Sequence, residues 1–137
     1  MSQYIPEALR KVVAERASYR CEYCQISALD TFFAFHIDHV ISLKHGGETH
    51  ADNLAYARQI CNLSKGTDIY TFLDNPAIPV RFFNPRTDVW NEHFDLDKSG
   101  AVISKTSIGA ATLKIFDLNH PESVIERREM IRYGMFE

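Results

Sequence analysis

Phe32-Phe33-Ala34-Phe35-His36-Ile37-Asp38-His39-Val40-Ile41 decides the reading of this chain, together with two segments that follow it. These are Leu54-Ala55-Tyr56-Ala57 and Gln59-Ile60-Cys61-Asn62-Leu63-Ser64-Lys65. The first is rich in aromatic and β-branched residues and predicts a strand. His45-Gly46-Gly47 is a turn signal. Leu54 to Ala57 predicts a second short strand. Gln59 to Lys65 predicts a short helix with Gly66 as its stop. The order over residues 32 to 66 is therefore strand, loop, strand, helix.

Working outward, Pro6-Glu7 opens a helical pattern with Leu9, Val12, Val13, Arg16 and Ala17 on one face, ending near Ser18. Cys21-Glu22-Tyr23-Cys24 has the spacing of a metal-binding knuckle. Beyond the core, Val80 to Phe83 predicts a strand and Asn84-Pro85-Arg86-Thr87 a turn. Phe94 to Lys105 predicts a hairpin around Lys98-Ser99-Gly100. Ile108, Ala111, Ile115 and Leu118 lie at helical spacing, and a last helix is predicted over Glu122 to Tyr133. Trp90 is expected to pack into this extension. Arg127, Arg128 and Arg132 alternate with Glu122, Glu126 and Glu129, the pattern of a solvated helix face. The expectation is an α+β fold in one domain, 1–137, with a core at 10–70 and an α+β extension at 71–137.

The composition is that of a globular protein: of 137 residues, 45% are hydrophobic and 24% charged. A chain of this length buries a core without needing disulfides. No apolar run reaches the ~20 residues that span a bilayer. The N-terminus lacks a basic segment leading into an apolar one, so the expected location is cytoplasmic. Three cysteines cannot all pair within a chain, and in a reducing compartment Cys21 and Cys24 read as metal-binding or redox-active. The net charge of −3 argues against tight, non-specific binding to a polyanion.

Residues 36 to 65 hold the groups that phosphodiester hydrolysis needs. A base must take a proton from water, and a cation must offset charge on the phosphate and leaving oxygen. His39 is neutral at physiological pH and can accept that proton. Asp38 and Asn62 offer hard oxygen ligands suited to Mg²⁺ or Mn²⁺. Neighbouring residues of a regular strand point to opposite faces. For Asp38 and His39 to share a site the strand must bend or end there, with the Asn62 helix packed across it.

These segments, with Asp52-Asn53-Leu54, occur in the order and spacing of the HNH endonucleases, and the chain resembles that family. The resemblance implies a ββα-metal core flanked by an N-terminal helix and the C-terminal extension, and a one-metal endonuclease acting on nucleic acid, DNA before RNA. It implies catalytic roles for His39, Asn53 and Asn62: His39 as general base, Asn53 bracing the loop that orients it. Asp38 and Asn62 become ligands of the divalent cation, and Lys65 sits near a phosphate. His36, on the strand face of Asp38, is an additional metal ligand, a supporting group or a plain strand residue. Cys21, Cys24 and Cys61 are the candidates for a structural Zn²⁺. The family pattern has a further cysteine at position 58, where this chain has Arg58, so tetrahedral zinc lacks one ligand. His45 and His50 are the remaining candidates for it. Two rival functions stand beside the nuclease: a non-catalytic HNH-fold module that binds nucleic acid, and a zinc-stabilised protein-interaction module.

Overall fold

The computed structural model describes residues 4–28 and 35–136. The expected strand residues Phe32 to Ala34 lie outside the described residues. The fold is α+β. Helix α1 (Glu7–Arg16) precedes the ribbon β1 (Phe35–His39) and β2 (Leu54–Arg58), and α2 (Gln59–Lys65) follows directly. Next come β3 (Tyr70–Phe72), β4 (Pro79–Arg81), the single turn α3 (Trp90–His93), β5 (Phe94–Leu96), β6 (Val102–Ser104), α4 (Ser107–Phe116) and α5 (Pro121–Arg132). The described strands pair as three two-stranded antiparallel ribbons, β1–β2, β3–β4 and β5–β6. Strand β3 adds to the sequence reading, and its Tyr70-Thr71-Phe72 is the aromatic and β-branched type that suits a strand; Phe82 and Phe83 lie past the end of β4, buried in the core.

The register of β1 on β2 explains how the ribbon is covered. His36 opposes Ala57, and Asp38 opposes Ala55. Both alanines are fully buried, so the backbone of α2 can lie close over this face. On the other face Ile37 and Tyr56 pack with Leu54 against Val13 of α1 and Ile5. Proline at the start of α1 suits a position whose N–H has no helical partner.

The extension completes the core of the ββα unit. Phe116 of α4 is fully buried, 4.7 Å from the ring of Tyr23 and 5.1 Å from that of Phe82. Each such aromatic contributes about 1.5–3 kcal/mol by burial, so the knuckle and the extension share one apolar cluster. Trp90 packs at 4.9 Å on Phe94 and donates its indole N–H to the Tyr23 carbonyl at 2.9 Å. Arg86 forms an ion pair with Glu22 of the knuckle.

Helix α5 corrects the sequence reading. Arg127 does not lie on a solvated face but is fully buried. It donates to the carbonyls of Cys24, Gly100 and Leu118 and to Asn119 Oδ1. No described helix is long and apolar enough to cross a membrane.

Candidate active site

The β1 strand ends at His39 and its outer edge pairs with no strand among the described residues. Side chains from both of its faces therefore reach one hollow at that edge. Asp38, His39 and Asn62 all line it, with Ser42, Lys44 and Thr67, around a volume of about 670 Å³. The geometric condition set by the sequence, that the strand end at this pair and α2 pack across it, is met.

Asp38 is 4% exposed, and its carboxylate is held from two sides. Tyr23 Oη donates to Oδ2 at 2.7 Å and Lys65 Nζ to Oδ1 at 3.1 Å. Burial pushes its pKa up, opposed by the Lys65 charge and the Tyr23 hydroxyl. A carboxylate has about four lone-pair positions, so two remain for a further partner. Lys65 also donates to the His39 carbonyl at 2.9 Å. The expectation that Lys65 meets a phosphate is thus corrected: it is 2% exposed and fixes the Asp38–His39 backbone and carboxylate from within. The spacing held the clue. Cys61 and Lys65 are four residues apart on one helix face, so an inward Cys61 turns Lys65 inward too.

His39 Nε2 lies 2.9 Å from Thr49 Oγ1. Its Nδ1 has no hydrogen-bond partner among the described residues. Burial lowers its pKa, with the Asp38 charge opposing and Lys65 reinforcing, so the ring is neutral near pH 7. The Asn62 side chain is half-buried and makes no hydrogen bond among the described residues. It faces the hollow with its amide oxygen uncommitted.

Asn53 acts on the backbone of the intervening loop. Its Oδ1 accepts from Ile41 N–H, and its Nδ2 donates to the carbonyls of Ile41 and Glu48, each at 2.9 Å. It positions the loop that carries Thr49 and touches no reacting group. Gly47 belongs to the same brace: a Cβ there would lie 1.7 Å from the Ile41 carbonyl oxygen. Only glycine permits that approach.

His36 stands apart. It does not line the hollow, and its Nε2 is buried with no hydrogen-bond partner among the described residues. That orphaned nitrogen is shared by a metal ligand and by a plain strand residue, so both readings of His36 stand.

Nearer the start of α2 the sulfurs of Cys21, Cys24 and Cys61 lie within 4.8 Å of one another, all buried, forming a candidate metal site. Burial opposes charge here, yet hydrogen bonds from Cys24, Cys61 and the Arg58 backbone favour a thiolate on Cys21. Cys24 and Cys61 are pushed up. Neither His45 nor His50 joins the cluster: His45 lies on an exposed turn and His50 accepts from Asp52 N–H. Arg58, at the place of the absent cysteine, is fully buried and grips Glu126 of α5 at 2.6 and 2.9 Å.

Residues 21–68 match the family model described as HNH endonuclease. The chain carries an HNH domain. The match begins at the knuckle and ends just past α2, so it takes in the thiol cluster and the Asp38 hollow together. No curated protein and no solved structure gave a significant match. The HNH domain implies interaction with nucleic acid and a nuclease-type chemistry that uses metal ions.

Proposed function

We propose that the HNH domain hydrolyses phosphodiester bonds of DNA, with His39 as general base and Asp38 and Asn62 as ligands of Mg²⁺ or Mn²⁺. The observation that carries this reading is that Asp38, His39 and Asn62, far apart in sequence, line one open hollow. The donor set fits such an ion: a carboxylate with spare lone pairs and an uncommitted amide oxygen are both hard ligands. When bound, that cation supplies neutralisation of charge on the scissile phosphate and the departing oxygen.

The protein's own groups do the rest. In the tautomer that carries its proton on Nε2 and donates it to Thr49 Oγ1, Nδ1 of His39 is the basic nitrogen and takes the proton of the attacking water. Asn53 and Gly47 hold the loop that presents Thr49, which fixes the ring. Lys65 holds the His39 carbonyl and the Asp38 carboxylate together, so base and ligand keep their spacing. Lys44, exposed at the rim, offers a charge to the substrate backbone.

A nicking assay with Mg²⁺, Mn²⁺ and EDTA tests the reading. Cleavage is expected with the cations and not with EDTA. His39→Ala is expected to reduce it about 10²–10⁴-fold while the protein stays folded. Wild-type rates in purified His39→Ala protein would refute the assignment.

A further inference from the structure

We propose that the α1-side face of the β1–β2 ribbon is a stacking platform for unpaired nucleobases, so that the strand delivered to His39 is single-stranded. The inference rests on the nuclease reading for the place of the scissile phosphate, and adds the form of the substrate.

A second hollow, of about 260 Å³, lies between α1 and the ribbon. Its walls are the rings of Tyr19, Phe35 and Tyr56 and the side chains of Arg10 and Lys11. Ile37 lines both this hollow and the Asp38–His39 one, so the two are neighbours along β1. Phe35 stacks on Tyr56 with ring centres 5.0 Å apart and planes at 28°. Tyr19 stands edge-on to Tyr56 at 6.2 Å. None of the three is fully buried, and Tyr19 is 39% exposed. Tyr19 leaves an exposed ring beside the Asp38–His39 hollow, with Phe35 and Tyr56 partly buried behind it, unlike the closed aromatic cluster around Phe116.

The backbone is bent to put Tyr19 there. Ser18 and Tyr19 have φ of 55° and 57°, left-handed values that bulky side chains disfavour. The turn is held by Tyr19 N–H to the Ala14 carbonyl and by Ala28 N–H to the Tyr19 carbonyl.

Charge complements the rings. Arg10, an exposed residue, is anchored through Nε to the Ile5 carbonyl at 3.1 Å. Lys11 pairs only loosely, at 3.8 Å, with exposed Glu15. Among the described lining residues Glu7 is the one acid, against the two cations Arg10 and Lys11. In a chain of net charge −3, the described rim carries a small positive excess beside aromatic rings. That pairing suits single strands: cations track the phosphates and any base can stack on an aromatic face. A duplex hides those base faces in its own stack and must give up pairing to offer one.

The test uses the full-length His39→Ala protein, so that the probe survives, with Mg²⁺ at fixed ionic strength. Anisotropy is read on labelled single-stranded DNA and on the duplex of the same sequence. The single strand is expected to bind about tenfold tighter. On that background Tyr19→Leu, which keeps apolar bulk but loses the flat ring, is expected to weaken single-strand binding about tenfold, and Tyr19→Phe to keep it. Lys11→Ala, at an exposed site, is expected to weaken it a few-fold and flatten its salt dependence. Melting temperatures confirm that each variant is folded. Equal affinity for both probes, binding to neither, or Tyr19→Leu binding like its parent would overturn the platform. Cleavage by the wild-type protein, run alongside, reads the nuclease assignment separately. Cutting without single-strand preference sinks the platform alone, and single-strand preference without cutting sinks the nuclease alone.

Discussion

Helix α2 serves one polar cluster near its start and another at its end, and the two are completed differently. At its C-terminal end Lys65 meets Asp38, whose carboxylate is also held by Tyr23, while Asn62 faces the hollow. Asp38, His39 and Asn62 line that hollow together. Near the N-terminal end Cys61 meets Cys21 and Cys24, and the fourth corner holds Arg58 in place of a ligand. Helix α5 braces the knuckle there, through Glu126 on Arg58 and Arg127 on the Cys24 carbonyl. One cluster opens on a hollow, and the other is closed over by the extension.

The largest effect should come from the closed cluster. Arg127→Met strands three buried carbonyls and is expected to cost about 3–5 kcal/mol, read by urea denaturation. A loss below 1 kcal/mol would mean that α5 does not clamp the knuckle. Lys65→Met tests the other cluster and should cost about 3 kcal/mol at neutral pH, because it leaves a buried carboxylate less compensated. Asp38 already titrates above its unfolded value, so its ionisation costs stability as pH rises through the folded value. Removing Lys65 enlarges that cost. The difference between variant and wild type should therefore shrink as pH falls, and a pH-independent difference would count against the pairing.

Arg58→Cys exchanges one design for the other. It should bind about one zinc per chain that resists a chelator, where the wild type gives its metal up. Metal analysis after dialysis against EDTA decides it, and zinc retained by the wild type would break the contrast. The smallest effect is a shift in the pH profile. The active form of His39 is neutral, and burial holds its pKa below the ordinary 6.5. The kcat/KM value should fall only at more acidic pH than that, and a midpoint at or above 6.5 would argue that His39 is not the base.

Much of the ββα unit was legible because its signals are local. The aromatic and β-branched run, the Gly46-Gly47 turn and the Gly66 stop each follow from backbone preferences within a few residues. The grouping of Asp38, His39 and Asn62 was legible through spacing. What sequence could not supply were partners far along the chain. Arg127 reads as one of several alternating charges, and only its distance from the Cys24 carbonyl reveals a buried clamp. Arg58 reads as a lost ligand until Glu126, 68 residues later, is seen to hold it. Strand β3 has strand-forming residues in Tyr70-Thr71-Phe72, but a run of three is too short to mark a strand until its pairing with β4 is seen.

The chain's single tryptophan sits on this boundary. Trp90 touches the main chain of Tyr23, whose hydroxyl grips Asp38. The chain's one indole is thus a native fluorophore a single residue removed from the Asp38 carboxylate. A cation that binds there is expected to change its emission, with no label attached.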